Sequence, residues 1–192
     1  SKHALELGNQ PATEPIFFVK PSGCLHREGP LPVSSHPGEV HHEAECVVRL
    51  NDRLEPADIA VGLDLTDRLT QGELRADQLP WTRGKCFRSS AVIGGWSAWN
   101  GTWEDLVDPR IGLHLSLSVN DVLRQSTPLY EMSVTPRQQI ASLEAWAPVE
   151  EGDTLFTGTP EGVGQLFEGD RVLARLTNAT GEVLSEIVIT CA

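Results

Sequence analysis

Glu43 and Glu45, in the stretch Val40-His41-His42-Glu43-Ala44-Glu45-Cys46-Val47-Val48, put two carboxylates two residues apart in an otherwise strand-like segment. Side chains on a strand alternate faces, so His41, Glu43 and Glu45 point one way. Like charges side by side on a partly buried face repel and lose hydration, and a bound cation offsets both costs. A third carboxylate, Asp64, stands in a second apolar stretch, Asp58-Ile59-Ala60-Val61-Gly62-Leu63-Asp64-Leu65-Thr66, where an unpaired charge is expensive to bury. Three hard oxygen donors, with further positions left to water or substrate, suit Mg²⁺, Mn²⁺ or Ca²⁺ better than zinc. The same Glu-x-Glu spacing also fits a solvated face of an edge strand, so the pair alone does not choose.

Three further groups carry chemistry less specifically. His3 and Glu6 are spaced i, i+3, which places both on one face of a helix, although a solvated helix face has the same pattern. Lys85 taken alone reads as a surface lysine. The run Thr157-Gly158-Thr159-Pro160-Glu161-Gly162-Val163-Gly164 has glycines that permit positive φ and close backbone approach, useful to a substrate oxygen and equally to packing. Trp81, Trp96, Trp99, Trp103 and Trp146 read as core or dimer contacts rather than as a ligand-stacking set.

The elements that must position these residues are mostly strands. Residues 1–10 suit one or two helical turns, 16–21 a short strand ended by Pro21, and 22–39 a loop. Strands are expected over 40–50 and 58–66, with a helical turn plus loop over 67–86. Gly112–Val119 alternates Leu113, Leu115, Leu117 and Val119 with polar residues, His114 among them, and Asn120-Asp121 suits a hairpin turn into a returning strand. Thr135-Pro136 is a helix start, with Ile140, Leu143 and Ala147 as the buried stripe before Pro148. Short strands at 154–158, 170–176 and 182–190 complete a mainly β, α+β reading with one good helix.

A length of 192 residues suits one domain with a sizeable core. Twenty-seven acidic against fifteen basic residues, net charge −12, argue against a nucleic-acid partner. The same charge repels an anionic substrate unless a cation or a local Arg/Lys cluster reverses the field in the site. No apolar run is long enough to span a membrane, and no signal-peptide pattern opens the chain. The four cysteines, Cys24, Cys46, Cys86 and Cys191, form no Cys-x-x-Cys motif, so a reduced, cytoplasmic chain is expected over a disulfide scaffold.

Taken together, His3-Ala4-Leu5-Glu6, FFVKP (17–21), VHHEAEC (40–46), GLDLTDRLTQ (62–71), PWTRGKCF (80–87) and above all LFTGTPEGVGQLFEGD (155–170) resemble the fumarylacetoacetate hydrolase family, in its acylpyruvate and fumarylpyruvate hydrolase-like branch. The resemblance implies one catalytic domain over 1–192 whose start is incomplete, and a mixed β-sandwich or roll with few short helices. It also implies a homodimer and a place in aromatic catabolism. It assigns the divalent ion to Glu43, Glu45 and Asp64, and catalysis to His3, Glu6 and Lys85. Gln71 and Thr159 would line the site. Two departures stand out: the position after Arg68, usually aspartate, is Leu69, and the Trp-rich segment 97–109 has no counterpart in that branch.

The chemistry implied is cleavage of an acylpyruvate. A 2-oxo acid chelates the metal through its carboxylate and ketone oxygens, and the metal stabilises an enolate. His3 would deprotonate water, Glu6 would orient the imidazole, and Lys85 would stabilise developing negative charge. Lys20, Arg68 and Arg83 are candidates for gripping a distal carboxylate. The same electron sink serves decarboxylation of oxaloacetate or isomerisation of an unsaturated 2-oxo acid, and a non-catalytic metal-binding β domain is the alternative from another class.

Overall fold

The computed structural model describes residues 15–192, so His3, Glu6 and the helical turns expected over 1–10 lie outside the described residues. The described chain is β1 (Val40–His42), β2 (Ala44–Leu50), β3 (Pro56–Asp64), β4 (Thr66–Asp67), α1 (Arg68–Ala76), α2 (Thr82–Lys85), β5 (Ala91–Ile93) and β6 (Ser97–Ala98). It continues with β7 (His114–Val119), β8 (Val122–Pro128), α3 (Pro136–Glu144), β9 (Thr154–Phe156), β10 (Gly164–Gln165), β11 (Arg171–Thr177) and β12 (Val183–Thr190). The named strands pair antiparallel in three sheets, ordered β10-β1-β4, β12-β11-β7-β8 and β5-β3-β2-β9, with β6 also on β3. This is the mainly β architecture expected, with three short helices rather than one.

The period-two pattern decides which face is buried. On one face of the β2–β3 ladder, Ala44, Cys46, Val48, Ile59, Val61 and Leu63 are buried. They share a core with Leu115, Leu117 and Val119 of β7, Val172, Ala174 and Leu176 of β11, and Ile187 of β12. Each buried aliphatic side chain contributes about 1.5–3 kcal/mol of transfer free energy, so the two facing sheets clamp the ladder firmly. The opposite face of the same ladder is left to present Glu45 and Asp64.

The expected strands over 40–50 and 58–66 are each interrupted, at Glu43 and at Leu65. The register nonetheless runs straight through the break. His41 pairs with Thr66, the Asp64 N–H donates to the Glu43 carbonyl at 2.9 Å, and Glu45 pairs with Gly62. One long hairpin therefore bends out of the β5-β3-β2-β9 sheet into the small β10-β1-β4 sheet, and its bend carries the carboxylates.

Other local expectations hold. Asn120 and Asp121 turn the β7–β8 hairpin with φ of 52° and 62°, the two positive values a type I′ turn needs. Thr135 caps α3 through a capping box with Gln138, and Pro136 follows it. That helix ends at Glu144, so Ala147 lies beyond it, and Gln139 joins Ile140 in the buried stripe. The strand expected over 16–21 does not form: Ile16 and Val19 are exposed, and no ladder hydrogen bonds hold the segment. It crosses the surface through ring contacts, Phe17 on Trp146 and Phe18 on Trp81. In the Trp-rich segment, Trp103 is fully buried and donates from Nε1 to the Leu54 carbonyl at 3.2 Å.

Candidate metal centre

Glu43 sits at the hairpin bend, Glu45 one residue into β2, and Asp64 at the end of β3. All three are buried, and one ligand oxygen from each lies within 4.8 Å of the others. Lys85 closes the cluster. Its Nζ donates to Glu43 Oε2 at 2.8 Å, Asp64 Oδ2 at 2.5 Å and Thr66 Oγ1 at 2.6 Å. Far from being a surface residue, Lys85 is 2% exposed.

Two short helices deliver the cations. Asp67 caps α1, accepting from the Thr70 N–H at 3.0 Å and the Thr70 hydroxyl at 2.8 Å, and His36 Nε2 lies 2.8 Å away. That cap sets the first residue of α1, Arg68, whose Nη2 donates to Glu43 Oε1 and whose Nη1 donates to Gln71 Oε1 at 2.7 Å. Lys85 ends α2, which approaches α1 so closely that a Cβ on Gly84 would lie 2.9 Å from the Gln71 backbone. Only glycine permits that contact, and the contact brings the Lys85 ammonium to the acids.

The three carboxylates are not equivalent. Burial alone would raise Glu43, but Lys85 and Arg68 outweigh it and hold its carboxyl down at about 2. Asp64 is raised by burial, with Lys85 and Lys20 only partly offsetting it. Glu45 is pushed furthest up, by burial first and then by the Asp64 and Glu43 charges. No side-chain cation bonds it among the described residues; its Oε2 accepts from the Gly158 N–H at 2.6 Å. Gly158 has φ of 98°, a backbone state that favours glycine and turns this N–H toward Glu45.

A divalent ion fits this donor set. It is all hard oxygen, it is buried, and it contains one carboxylate, Glu45, that no side-chain cation bonds among the described residues. Lys85 itself remains cationic: burial lowers it, but Glu43 and Asp64 raise it further.

The structure places the remaining sequence-derived candidates as follows. Lys20 Nζ lies 2.8 Å from Asp64 Oδ1 and donates to the carbonyls of Leu65 at 2.9 Å and Ser90 at 2.7 Å. Two carbonyls and the Asp64 charge hold this ammonium in place, so Lys20 serves Asp64 rather than standing free to grip a substrate carboxylate. Arg68 is engaged by Glu43 and Gln71, and Gln71 by Arg68. Arg83 is exposed on α2, apart from this network. Thr159 is half-buried, and its hydroxyl accepts from Gln125 Nε2 at 2.8 Å. Leu69, at the position usually acidic, is exposed.

Thr66 and Gln125 were not legible beforehand. Gln125 is the lone buried residue over Val122–Gln125 on β8, and it also donates to the Pro160 carbonyl at 3.1 Å. Its Oε1 accepts from the Ala44 N–H at 3.0 Å and lies 3.0 Å from His42 Nδ1, so it ties the hairpin bend to the 157–162 loop. Its only signal in sequence is a polar residue at a hairpin position, which is ordinary.

Comparison with known proteins agrees with this geometry. Residues 1–188 match the family model described as fumarylacetoacetate (FAA) hydrolase C-terminal. The chain is 34% identical over 183 residues to the oxaloacetate tautomerase YcgM of Escherichia coli K12, covering 90% of this chain and 82% of that protein. Among solved structures, a putative fumarylacetoacetate isomerase/hydrolase from Oleispira antarctica superposes with a TM-score of 0.89 at 30% identity, covering 99% of this chain and 88% of that one. The fumarylpyruvate hydrolase of Pseudomonas aeruginosa, solved with Mn²⁺ and pyruvate, superposes at 0.78 with 28% identity, covering 99% and 85%. Three buried carboxylates, two of them bridged by a lysine and the third held by the glycine-rich loop, thus occur in a chain that belongs to the fumarylacetoacetate hydrolase family.

Proposed function

We propose that the protein is a divalent-metal-dependent enzyme acting on short 2-oxo acids, and that its reaction is the keto–enol interconversion of oxaloacetate. The carrying observation is the cluster of Glu43, Glu45 and Asp64, in which Glu45 alone lacks a cation. The oxaloacetate reading, rather than acylpyruvate cleavage, is favoured by the tautomerases among its relatives, the Escherichia coli protein above included.

Glu43, Glu45 and Asp64 would hold Mg²⁺ or Mn²⁺, which when bound would supply Lewis acidity that polarises the ketone of a 2-oxo acid and favours its enolate. Lys85, whose three N–H groups are taken by Glu43, Asp64 and Thr66, would act through its positive charge, stabilising the negative charge that gathers on the ketone oxygen. Lys20 and Arg68 hold Asp64 and Glu43 in orientation. His3 would take the proton from the carbon next to the ketone, with Glu6 holding its imidazole in the productive tautomer.

A second reading, hydrolysis of an acylpyruvate, is supported by the likeness to the Pseudomonas aeruginosa fumarylpyruvate hydrolase. There His3 would take the proton from water, hydroxide would add to the distal carbonyl, and the carbon–carbon bond would break with pyruvate enolate departing. The test follows ketonisation of freshly dissolved enol-oxaloacetate by ultraviolet absorbance, with Mg²⁺ or Mn²⁺ and with a chelator. Acceleration that disappears with chelator and with Glu43→Ala is expected. Pyruvate release from an acylpyruvate without faster ketonisation would move the assignment to the second reading. Turnover of neither substrate by metal-loaded protein would overturn both.

A further inference from the structure

The hairpin register extends the site beyond its carboxylates. Directly paired residues of an antiparallel ladder put their side chains on the same face. Glu45 stands opposite Gly62, and the next row out holds Glu43 and Asp64. The row after that holds His41 opposite Thr66, with Gln165 of β10 opposite His41 on its other side. Thr66 fixes the direction of this face, because its hydroxyl takes a hydrogen bond from Lys85 Nζ. His41 and Gln165 therefore line the same side as the metal-ligating acids, two strand residues farther along, or roughly 7 Å.

Neither side chain makes a hydrogen bond of normal length among the described residues, and His41 is only loosely paired with Glu39. His41 Nδ1 is buried without a hydrogen-bond partner, and its Nε2 lies 3.7 Å from Glu39 Oε2, too far for a hydrogen bond. Gln165 is half-buried and its amide makes no side-chain hydrogen bond. Buried polar groups are normally paired, so the orphaned His41 Nδ1, with the half-buried Gln165 amide across the row and an acid-lined centre beside it, marks a place for a ligand oxygen. Arg68 acts electrostatically on the His41 ring, against the opposing charges of Glu39 and Glu43. Lys20 sits on Asp64, Arg68 spends both terminal nitrogens on Gln71 and Glu43 with its Nε left unpaired, and Arg83 lies at the surface.

We infer that His41 and Gln165 are specificity-determining residues that receive the distal carboxylate of a dicarboxylic 2-oxo acid whose oxo-acid end lies at Glu43, Glu45 and Asp64. This rests on the 2-oxo-acid reading above and names the residues that meet the substrate's far end, which that reading leaves unassigned. It selects substrates with an anionic oxygen pair beyond the ketone over those that end in an alkyl group or an ester.

The test compares kcat/KM for oxaloacetate and for its 4-methyl ester in the parent, His41→Ala and Gln165→Leu, with oxalate affinity of the Mn²⁺-loaded protein measured alongside. Oxalate has only the chelating end, so its affinity is expected to stay within about twofold in both variants. The preference for the free acid over the ester is expected to fall about tenfold or more in each, the loss of one hydrogen bond to a charged group. Gln165→Leu decides alone should His41→Ala fail to fold, because Leu matches its bulk and no partner is left behind. Oxalate binding that persists while the preference is unchanged would overturn this inference and leave the metal centre standing. Failure of the parent to bind oxalate with metal would remove the 2-oxo-acid reading and the inference with it.

Discussion

Glu43 and Asp64 are neighbours twice over: the Asp64 N–H donates to the Glu43 carbonyl at 2.9 Å, and one lysine, Lys85, joins their carboxylates at 2.8 and 2.5 Å. The backbone contact holds the strand register through the bend, so the side-chain contact cannot drift. A buried ion-pair cluster of this kind is specific in geometry more than strong in net energy, because desolvation offsets much of the attraction. Its consequences are clearest when one member is removed.

Lys85→Met should leave Glu43 and Asp64 buried without their shared cation. A loss of about 3–5 kcal/mol is expected for the metal-free protein, the usual result of orphaning a buried charge. Mn²⁺ should restore part of the melting temperature while turnover stays lost. A variant that melts with the parent in chelator would contradict the clustering of these charges.

Glu45→Gln separates stability from metal binding. Burial and the neighbouring carboxylates already favour the neutral form of Glu45, so the metal-free variant should melt close to the parent at neutral pH. Mn²⁺ affinity, read by calorimetry, should fall at least about a hundredfold, since one of three charged donors is gone. Unaltered affinity would remove Glu45 from the ligand set.

Asp67 gives the fold an acid-side dependence. Burial pulls its carboxyl up, but the Thr70 N–H, His36 and the Thr70 hydroxyl outweigh it and hold it below the usual carboxylate range. A depressed value means stability that is present above the unfolded value and lost as pH falls through the folded one. Asp67→Asn keeps a cap for α1 and should flatten that acid limb, whereas Asp67→Ala should also cost about 1 kcal/mol at neutral pH. Denaturant midpoints measured from neutral to acid pH report both effects, and parallel profiles for parent and Asn variant would refute the assignment.

Gln125→Leu should destabilise by about 1–3 kcal/mol, because the Ala44 N–H loses its acceptor in a buried place and His42 and Thr159 lose their partner. The loop that carries Gly158 should loosen with it, raising KM more than it lowers kcat. Urea unfolding with steady-state kinetics on the same preparation checks the two together.

Much of this molecule was readable in the chain itself. The alternation of Leu113, Leu115, Leu117 and Val119, the Asn120-Asp121 turn and the Thr135-Pro136 start are local signals, and each marks a real element. The failures are also local in origin. Residues 16–21 have strand composition but lie outside every ladder and are held by ring contacts, and the stretch around Arg68 forms a full helix that Asp67 caps. The two glutamates on one strand face followed from the two-residue period, and Asp64 followed from the cost of a lone charge among aliphatics.

What the chain alone determined, then, was the inventory and the facing: which side chains are acidic, and that His41, Glu43 and Glu45 share a side. Only the tertiary structure decided their partners. Lys85 comes from 21 residues beyond Asp64, Lys20 from 45 residues before Leu65, and Gln125 from 83 residues beyond His42. Pairings at that separation depend on how sheets and helices pack, and no local pattern encodes them. Burial then sets the electrostatics, which is why three similar carboxylates ended with three different affinities for a proton.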